Sequence, residues 1–169
     1  MSDAPLPQTV TPVMRDGPQM LLVQEQGIDS AKPTWMLPGG RVAYGEGPEL
    51  ALGREILEET GLTVIGEATL AFSVEIDSRL DDLVGRWRAL TYACNADGTI
   101  EPADPEGLIR TAEWVEMDDA LERLATVEWY DADPLRSFLD GSAPDGSAWR
   151  YRLTGRRGAA LRTVAEQIT

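Results

Sequence analysis

The stretch REILEETG, residues 54–61, places three glutamates in one short segment behind an arginine. Helical spacing brings Glu55, Glu58 and Glu59 onto one side of a helix, where like charges three or four residues apart repel by a few tenths of a kcal/mol per pair, roughly. The whole chain already has a formal net charge of −14. Something must therefore compensate for the repulsion in this stretch.

A helix over residues 48–60 is predicted around these glutamates. Pro48 suits the first turn, where its missing N–H costs nothing, and Gly61 suits the left-handed residue just past the end. The side opposite the glutamates is predicted to face the core, and it holds four residues: Leu50, Gly53, Ile56 and Leu57. A glycine on that side indicates a close approach of the helix to a sheet.

Two interpretations of the carboxylate cluster compete. Most runs of charge are solvated faces, and three glutamates taken alone favour that interpretation. The alternative is a divalent metal site, because Mg²⁺ binds one or two carboxylates together with water and substrate phosphates. A bound cation would relieve the repulsion and would let an acidic protein bind a phosphate.

The wider spacing decides between them. Residues 40–62 read GRVAYGEGPELALGREILEETGL: a glycine, five residues, a glutamate, seven residues and then the stretch above. At every defined position this segment resembles the signature box of the Nudix hydrolases, and the preceding WMLPGG resembles the usual lead-in of that family. The resemblance is strong over residues 35–62, plausible by strand order over 8–125 and absent from 126–169.

The resemblance implies an α/β fold, namely a Nudix-like α/β/α sandwich with a mixed β-sheet. It implies hydrolysis of a diphosphate linkage in a nucleoside diphosphate derivative, with Mg²⁺ or Mn²⁺ as cofactor. By position, the metal ligands are Glu55, Glu58 and Glu59, and Glu58 is also assigned a catalytic role. Arg54 and Glu46 become the supporting pair, since a guanidinium steadies carboxylates through bidentate hydrogen bonds.

Substrate contacts are expected just before the box. The resemblance makes Gly39 and Gly40 the residues that let the backbone turn tightly beside the metals. Trp35 lies in the same loop and is a candidate for stacking a nucleobase, at even odds with simple packing. Phe72 and Trp87 are further candidates, although core or rim packing is favoured for both.

The substrate itself stays open. A downstream proline is typical of ADP-ribose hydrolases and a downstream tyrosine of dinucleoside polyphosphate hydrolases, and residues 63–91 contain neither. The arginine pattern of coenzyme A hydrolases is also missing upstream of the box. A nucleoside triphosphate or a sugar nucleotide remains as the expected type. The alternative function is a Nudix-fold nucleotide-binding regulator without hydrolysis, which a degraded box would favour, and this box is intact.

Many Nudix proteins add an acidic residue from a loop after the central strands, and three candidates fit. Glu106 lies in a polar, glycine-bearing loop that can move over a substrate. Glu113 belongs to an alternating strand, which directs it most simply towards solvent. We predict Glu106 as the catalytic loop carboxylate, ahead of Glu113 and the nearby Asp104.

Composition limits the partners and the compartment. With 29 acidic against 15 basic residues, the chain is not expected to bind nucleic acid, whose phosphates need a basic face. No apolar stretch approaches membrane-spanning length, and the amino-terminal residues show no secretory signal. The single cysteine, Cys94, fits a reducing compartment. A cytoplasmic protein with a nucleotide-type small-molecule substrate is expected.

The chain, residues 1–169, predicts a single Nudix domain, with residues 1–7 as a loose tail and 126–169 as an extension atypical of the family. Within that extension, residues 149–162 are rich in arginine. A solvated basic face is favoured there over a phosphate contact or pairing with an acidic neighbouring subunit, so a homodimer stays open. Residues 77–85 are expected to join two strands, and residues 158–168 to form a final helix.

Overall fold

The computed structural model describes residues 5–27, 32–80, 83–156 and 162–168. Its helices are α1 (Pro48–Thr60), α2 (Met117–Ala125) and α3 (Asp133–Leu139). Its strands are β1 (Gln8–Val13), β2 (Arg15–Asp16), β3 (Gln19–Glu25), β4 (Thr34–Met36), β5 (Gly40–Arg41), β6 (Thr63–Leu80), β7 (Leu83–Asp97), β8 (Ile109–Glu116), β9 (Ser147–Thr154) and β10 (Arg162–Ile168). No helix among the described residues is long and apolar enough to cross a membrane.

The larger sheet is mixed and has the strand order β10-β9-β6-β7-β1-β5. β1 runs parallel to β7 and β9 parallel to β6, while the other neighbours are antiparallel. β6 and β7 form a long hairpin whose pairing reaches Leu80 opposite Leu83. Most of residues 77–85, expected to be a linker, are therefore strand. Their polar side chains are accommodated because an antiparallel sheet needs only one apolar face.

A smaller sheet is built around β3, which pairs with β8 along one edge and with β2 and β4 along the other. Apolar clusters lie on both faces of the larger sheet, as the alternation along β7 shows. Leu90 and Tyr92 pack in the cluster of α1, whereas Ala89 and Ala93 pack against the cluster of α2 and α3. Helices on both sides of a mixed sheet confirm the predicted α/β fold.

The predicted bounds of α1 are confirmed. Pro48 begins the helix, and Gly61 ends it in the left-handed region with φ of 79°. The N–H of Gly61 donates to the carbonyl of Leu57 at 2.9 Å, which satisfies one of the last carbonyls of the helix.

The predicted core side of α1 is wrong for three of its four residues. Leu50 and Leu57 are 73% and 53% exposed, and a β-carbon added to Gly53 would meet nothing within 4 Å. The buried positions are Ala51, Leu52, Glu55, Ile56 and Thr60. Because the helix packs against both sheets, the buried arc runs through Glu55 rather than opposite it.

The predicted final helix is also wrong. Residues 162–168 form β10, which pairs antiparallel with β9, and residues 157–161 of the predicted helix lie outside the described residues. Pairing with the edge of β9 satisfies the backbone there, and local helix propensity cannot foresee that partner. At the other end, residues 1–4 of the expected tail lie outside the described residues, and the carbonyl of Pro7 accepts the N–H of Arg88 at 2.9 Å.

Candidate active site

Arg54 joins the carboxylates of the box. Its Nε and Nη2 donate to the two oxygens of Glu46 at 3.0 and 2.9 Å, which is a bidentate pair. Its Nη1 donates to Glu55 at 2.7 Å and to Glu58 at 3.4 Å, and Nη2 also reaches the carbonyl of Arg41 at 2.9 Å. The expected pairing of Arg54 with Glu46 is therefore present, and the same guanidinium orients two of the expected metal ligands.

The Arg54–Glu46 pair is ionised under all ordinary conditions. The hydrogen bonds from Arg54, followed by the N–H of Ala43, lower the pKa of Glu46 to about 2. The same contacts with Glu46 raise the pKa of Arg54 above its usual value. A permanent charge pair of this kind fixes the loop that leads into α1 against the helix.

Glu59 has a different environment. Its Oε2 accepts the backbone N–H of Gly39 at 2.8 Å, yet burial dominates and raises the pKa of Glu59 to about 8. The negative charges of Glu55, Glu25 and Asp104 add to that increase. The fold therefore gathers several carboxylates around Glu59, and their mutual repulsion favours the protonated form of this residue.

Glu55 lies under the backbone of β5 and is only 9% exposed. A β-carbon on Gly40 would come 2.5 Å from the Glu55 carboxylate, so the space that Gly40 leaves empty is the space the carboxylate occupies. Burial raises the pKa of Glu55, the contact with Arg54 opposes that rise, and the charges of Glu58 and Glu106 support it. A glycine is thus required at position 40, because the Glu55 carboxylate lies so close to its backbone.

The loop after β7 is attached to the carboxyl end of α1. The N–H of Glu101 donates to the carbonyl of Thr60 at 3.0 Å, and the N–H of Ala103 donates to the carbonyl of Glu58 at 2.9 Å. These bonds satisfy helix carbonyls that would otherwise lack a partner. They also hold the acidic loop beside the box glutamates.

Asp104 shapes this loop. Its carboxylate accepts the backbone N–H groups of Glu106, Leu108 and Ile109 at 3.0, 2.7 and 3.1 Å. A carboxylate that accepts three backbone donors fixes the turn, as Asp commonly does through local hydrogen bonds. Asp104 therefore positions the backbone that carries Glu106.

The structure places Glu106 and Glu113 in different surroundings. The charge of Glu106 acts on both Glu55 and Glu25, so this residue lies on the side of the box carboxylates. The side chain of Glu113 is 49% exposed and lies 3.9 Å from Arg123 of α2. Glu113 thus faces α2 and solvent, the direction that the alternation of β8 predicts.

Glu25 is a member of the cluster that sequence reasoning missed. It ends β3, and burial, Asp104 and Glu106 together raise its pKa. Glu25 reaches the site because β3 pairs with β8, where it lies opposite Ile109. No short-range spacing signals this residue, since its place depends on sheet pairing.

The donors fit a divalent metal in chemistry and in charge. Mg²⁺ and Mn²⁺ prefer carboxylate oxygens, and several carboxylates lie close enough to Glu59 to raise its pKa in addition to the larger effect of burial. Within the described part of the chain, however, no three acidic or cysteine side chains are grouped as a finished metal site. Arg54 holds Glu55 and Glu58, whereas Glu59 is turned to Gly39.

An apolar cavity of about 370 Å³ opens beside the box. Gly39 and Gly40 lie at one side of it, and the strands of the larger sheet line another. Trp87, Trp129 and Tyr130 supply aromatic surface to its walls. A cavity of this size and character suits a drug-sized organic group, because it offers area for stacking and few charges.

Trp35 is not among the residues that line this cavity. The guanidinium of Arg123 lies 4.5 Å from the centroid of the Trp35 ring, and that arginine is itself paired with Asp119 at 2.8 Å. Neighbouring residues of a strand point to opposite sides, and Met36 is the one that lines the cavity. The structure therefore joins Trp35 to α2 rather than to this cavity.

A cysteine nucleophile has no support in this site. Cys94 is buried in the cluster under α1, and burial raises its pKa to about 11. A thiol with that pKa is protonated at neutral pH and reacts slowly. The chain contains no histidine that could activate it.

Comparisons with known proteins point to one family. A family model of the NUDIX domain matches residues 5–138. A MutT-like protein from Streptomyces ambofaciens is 31% identical over 118 residues, which span 66% of this chain and 64% of that protein. A protein of Bacillus subtilis (strain 168) named "Putative 8-oxo-dGTP diphosphatase" is 51% identical over 49 residues, or 29% of this chain and 30% of that one.

Among solved structures, the MutT protein from Bacillus halodurans has the same fold, with a TM-score of 0.68 and 23% identity over 95% of this chain and 98% of that one. The chain belongs to the NUDIX domain family. The chain covers less than two thirds of the length of the relatives from Streptomyces ambofaciens and Bacillus subtilis.

Proposed function

We propose that the protein is a metal-dependent hydrolase that cleaves a diphosphate linkage in a nucleoside diphosphate derivative, of the nucleoside triphosphate or sugar nucleotide type. The observation that carries this proposal is the gathering of Glu55, Glu58 and Glu59 on the box helix, where Arg54 donates to the first two and the N–H of Gly39 donates to the third. Such a surface repels a phosphate unless a cation lies between them.

Glu55, Glu58 and Glu59 are the residues that would hold Mg²⁺ or Mn²⁺. When bound, the metal supplies charge neutralisation at the phosphate and lowers the pKa of a coordinated water. Arg54 keeps Glu55 and Glu58 in place on α1, and the permanent pair of Arg54 with Glu46 anchors that guanidinium. These contacts preorganise the helix face before any substrate arrives.

Glu106 is proposed to accept a proton from the water that attacks phosphorus. Glu58, on α1, is proposed as a second catalytic carboxylate. The position of Glu106 suits this role, because its loop holds it on the side of the box carboxylates. Asp104 supports the proposal, since it holds the backbone of Glu106 beside the box.

The apolar cavity is proposed to hold the organic part of the substrate. Trp87 and Trp129 replace Trp35 as the proposed stacking residues, because both line the cavity next to Gly39 and Gly40. A nucleobase fits walls of this kind. The names of the relatives, a MutT-like protein and a diphosphatase of 8-oxo-dGTP, favour a nucleoside triphosphate.

We further propose that residues 1–169 form one domain, in which residues 126–169 complete the cavity through Trp129, Tyr130 and Tyr151. The buried, unpaired thiol of Cys94 supports a cytoplasmic location.

A hydrolysis screen over nucleotide diphosphate compounds with Mg²⁺ and Mn²⁺ tests the proposal. Glu55→Gln and Glu59→Gln are each expected to abolish turnover while the protein stays folded, since each removes a metal ligand and one source of repulsion. Glu122→Gln, at an exposed position of α2, is the matched control and should keep full turnover. Nucleotide binding without hydrolysis of any compound would instead favour the regulator.

The loop carboxylate is tested by a second pair of variants. Glu106→Gln is expected to lower turnover at least tenfold with little change in melting temperature, whereas Glu113→Gln should leave turnover within about twofold. Both measurements use saturating Mg²⁺ and the substrate found in the screen. A larger loss from Glu113→Gln would overturn the assignment.

A further inference from the structure

A second charged surface lies on the larger sheet, on the same face as α1 but further along the strands. Alternation along β7 places Arg86 and Arg88 on the same face as Leu90 and Tyr92, the two residues that pack under α1. We call this surface the arginine face, and its described charged residues are Arg79, Arg86, Arg88, Arg150, Arg152, Glu75, Asp77 and Glu166.

Strand register arranges these side chains in order. The two cross-strand rows are Arg86–Asp77–Arg152 and Arg88–Glu75–Arg150. Neighbouring strands are about 4.8 Å apart, and two residues along a strand span about 6.7 Å. The backbone positions of the four outer arginines therefore form a rectangle of about 10 by 7 Å. The two carboxylates lie on β6, the strand between them.

Two carboxylates of the arginine face are each shared by more than one arginine. Glu75 is shared by Arg86, by Arg88 at 3.9 Å and by Arg150 at 3.8 Å. Glu166 is likewise shared, with Arg150 and Arg152 at 3.7 and 3.1 Å. The described residues of this face therefore concentrate arginine on a chain whose net charge is −14.

The arginine face is also concave. A cavity of about 460 Å³ opens over it, lined by four of the arginines, the two central carboxylates and Thr154. The side chains of Arg86 and Arg152 are 56% and 57% exposed, so both guanidiniums present donors to solvent although each has an acidic neighbour. Arginine forks match phosphate oxygens bidentately, and several forks around one hollow make a specific phosphate site.

We propose that the arginine face is a binding site for a phosphate-bearing anion with two or more negative charges, for which inorganic pyrophosphate is the probe. The arginine forks around the hollow suit the oxygens of such an anion, and the rectangle accommodates one or two phosphates. A nucleic acid would need a longer basic track than this patch provides. No residue of the arginine face belongs to the carboxylate site on α1, so the two sites are built from separate side chains.

The test is calorimetric titration of the protein, residues 1–169, with inorganic pyrophosphate in the presence of a metal chelator, which keeps metal-mediated binding at α1 out of the measurement. Pyrophosphate is expected to bind and to bind more weakly as salt is added. Arg86→Gln combined with Arg152→Gln should weaken binding at least tenfold. Arg15→Gln combined with Arg136→Gln removes the same charge from exposed positions elsewhere and should change the affinity by less than twofold. ADP, titrated in the same way, decides whether the diphosphate is taken free or on a nucleotide.

A second variant, expected to tighten binding, keeps the proposal testable if the double variant does not fold. Asp77→Asn removes a carboxylate that would repel the anion from the hollow and keeps every arginine, so it should tighten pyrophosphate binding at least threefold. Unchanged or weaker binding by Asp77→Asn would overturn the proposal, as would an absence of metal-free binding to the parent protein. If the arginine face instead joins two copies of the chain, sedimentation will show a dimer that the double variant breaks and pyrophosphate will not bind, which also overturns it.

Discussion

Glu59 is a glutamate whose ionisation the fold changes strongly. Its pKa of about 8 compares with an ordinary value of 4.5, so between these pH values the folded state holds a proton that the unfolded chain releases. Stability is therefore lost as pH rises through this window, and Glu25 and Glu55 act in the same direction. We predict that the melting temperature of the chelator-treated protein falls by several degrees from pH 5 to pH 8.

The size of that fall follows from linkage. Each unit of pKa shift corresponds to about 1.4 kcal/mol, and 1 kcal/mol moves the melting temperature of a protein of this length by about 2–4 °C. Calorimetry across the pH range should show a much flatter profile for Glu59→Gln, which has no proton to lose. Glu122→Gln should keep the parent slope. Equal slopes in Glu59→Gln and the parent protein would contradict this account of the site.

Some residues of the site could be predicted from the box sequence, whereas others are placed by contacts between distant parts of the chain. The pairing of Arg54 with Glu46 is what the resemblance of the box implies, and the structure contains it. Glu25 joins the cluster through the pairing of β3 with β8, which no spacing near the box encodes. The ring of Trp35 lies against Arg123 of α2, a long-range contact that local spacing also does not encode.

At the scale of elements, the ends of α1 were predictable and its buried side was not. Pro48 and Gly61 act through their own backbone geometry, so the bounds need no tertiary information. The buried side depends on what surrounds the helix. Glu55 is tolerated there because Arg54 donates to it and Gly40 leaves room, two features outside any helical pattern.

Gly53 gives a direct test of how α1 packs. An added β-carbon meets nothing within 4 Å, and alanine is favoured over glycine in a helix interior by about 0.5–1 kcal/mol. Gly53→Ala is therefore expected to raise the melting temperature by about 1–4 °C. The matched control is Gly61→Ala, which should lower it, since φ is 79° and a β-carbon would lie 2.7 Å from the backbone of Glu101. A loss of stability in Gly53→Ala would show a close approach to a sheet after all.

At the scale of the whole molecule, the carboxyl-terminal third was the part that local patterns described least well. Strand β9 lies between β6 and β10, a place that no local pattern of its sequence predicts. Parallel pairing of β9 with β6 joins segments far apart in the chain, and β10 exists only because β9 offers an edge. The same long-range pairing brings Tyr151 to the cavity that begins at Gly39, so the cavity too lay beyond local reasoning.

The family model ends at residue 138, yet the core does not. Trp149, Tyr151 and Leu153 of β9 are 8%, 3% and 2% exposed in the cluster of α2 and α3. Burying three such side chains contributes about 5–8 kcal/mol, comparable to the whole stability of a typical domain. A chain that stops at residue 138 is therefore expected to lose its cooperative melting transition, measured by circular dichroism. A chain that stops after Thr154 keeps β9 and should still melt cooperatively, at a lower temperature. A native transition in the shorter chain would mean that residues 139–169 are an appendage and not part of one domain.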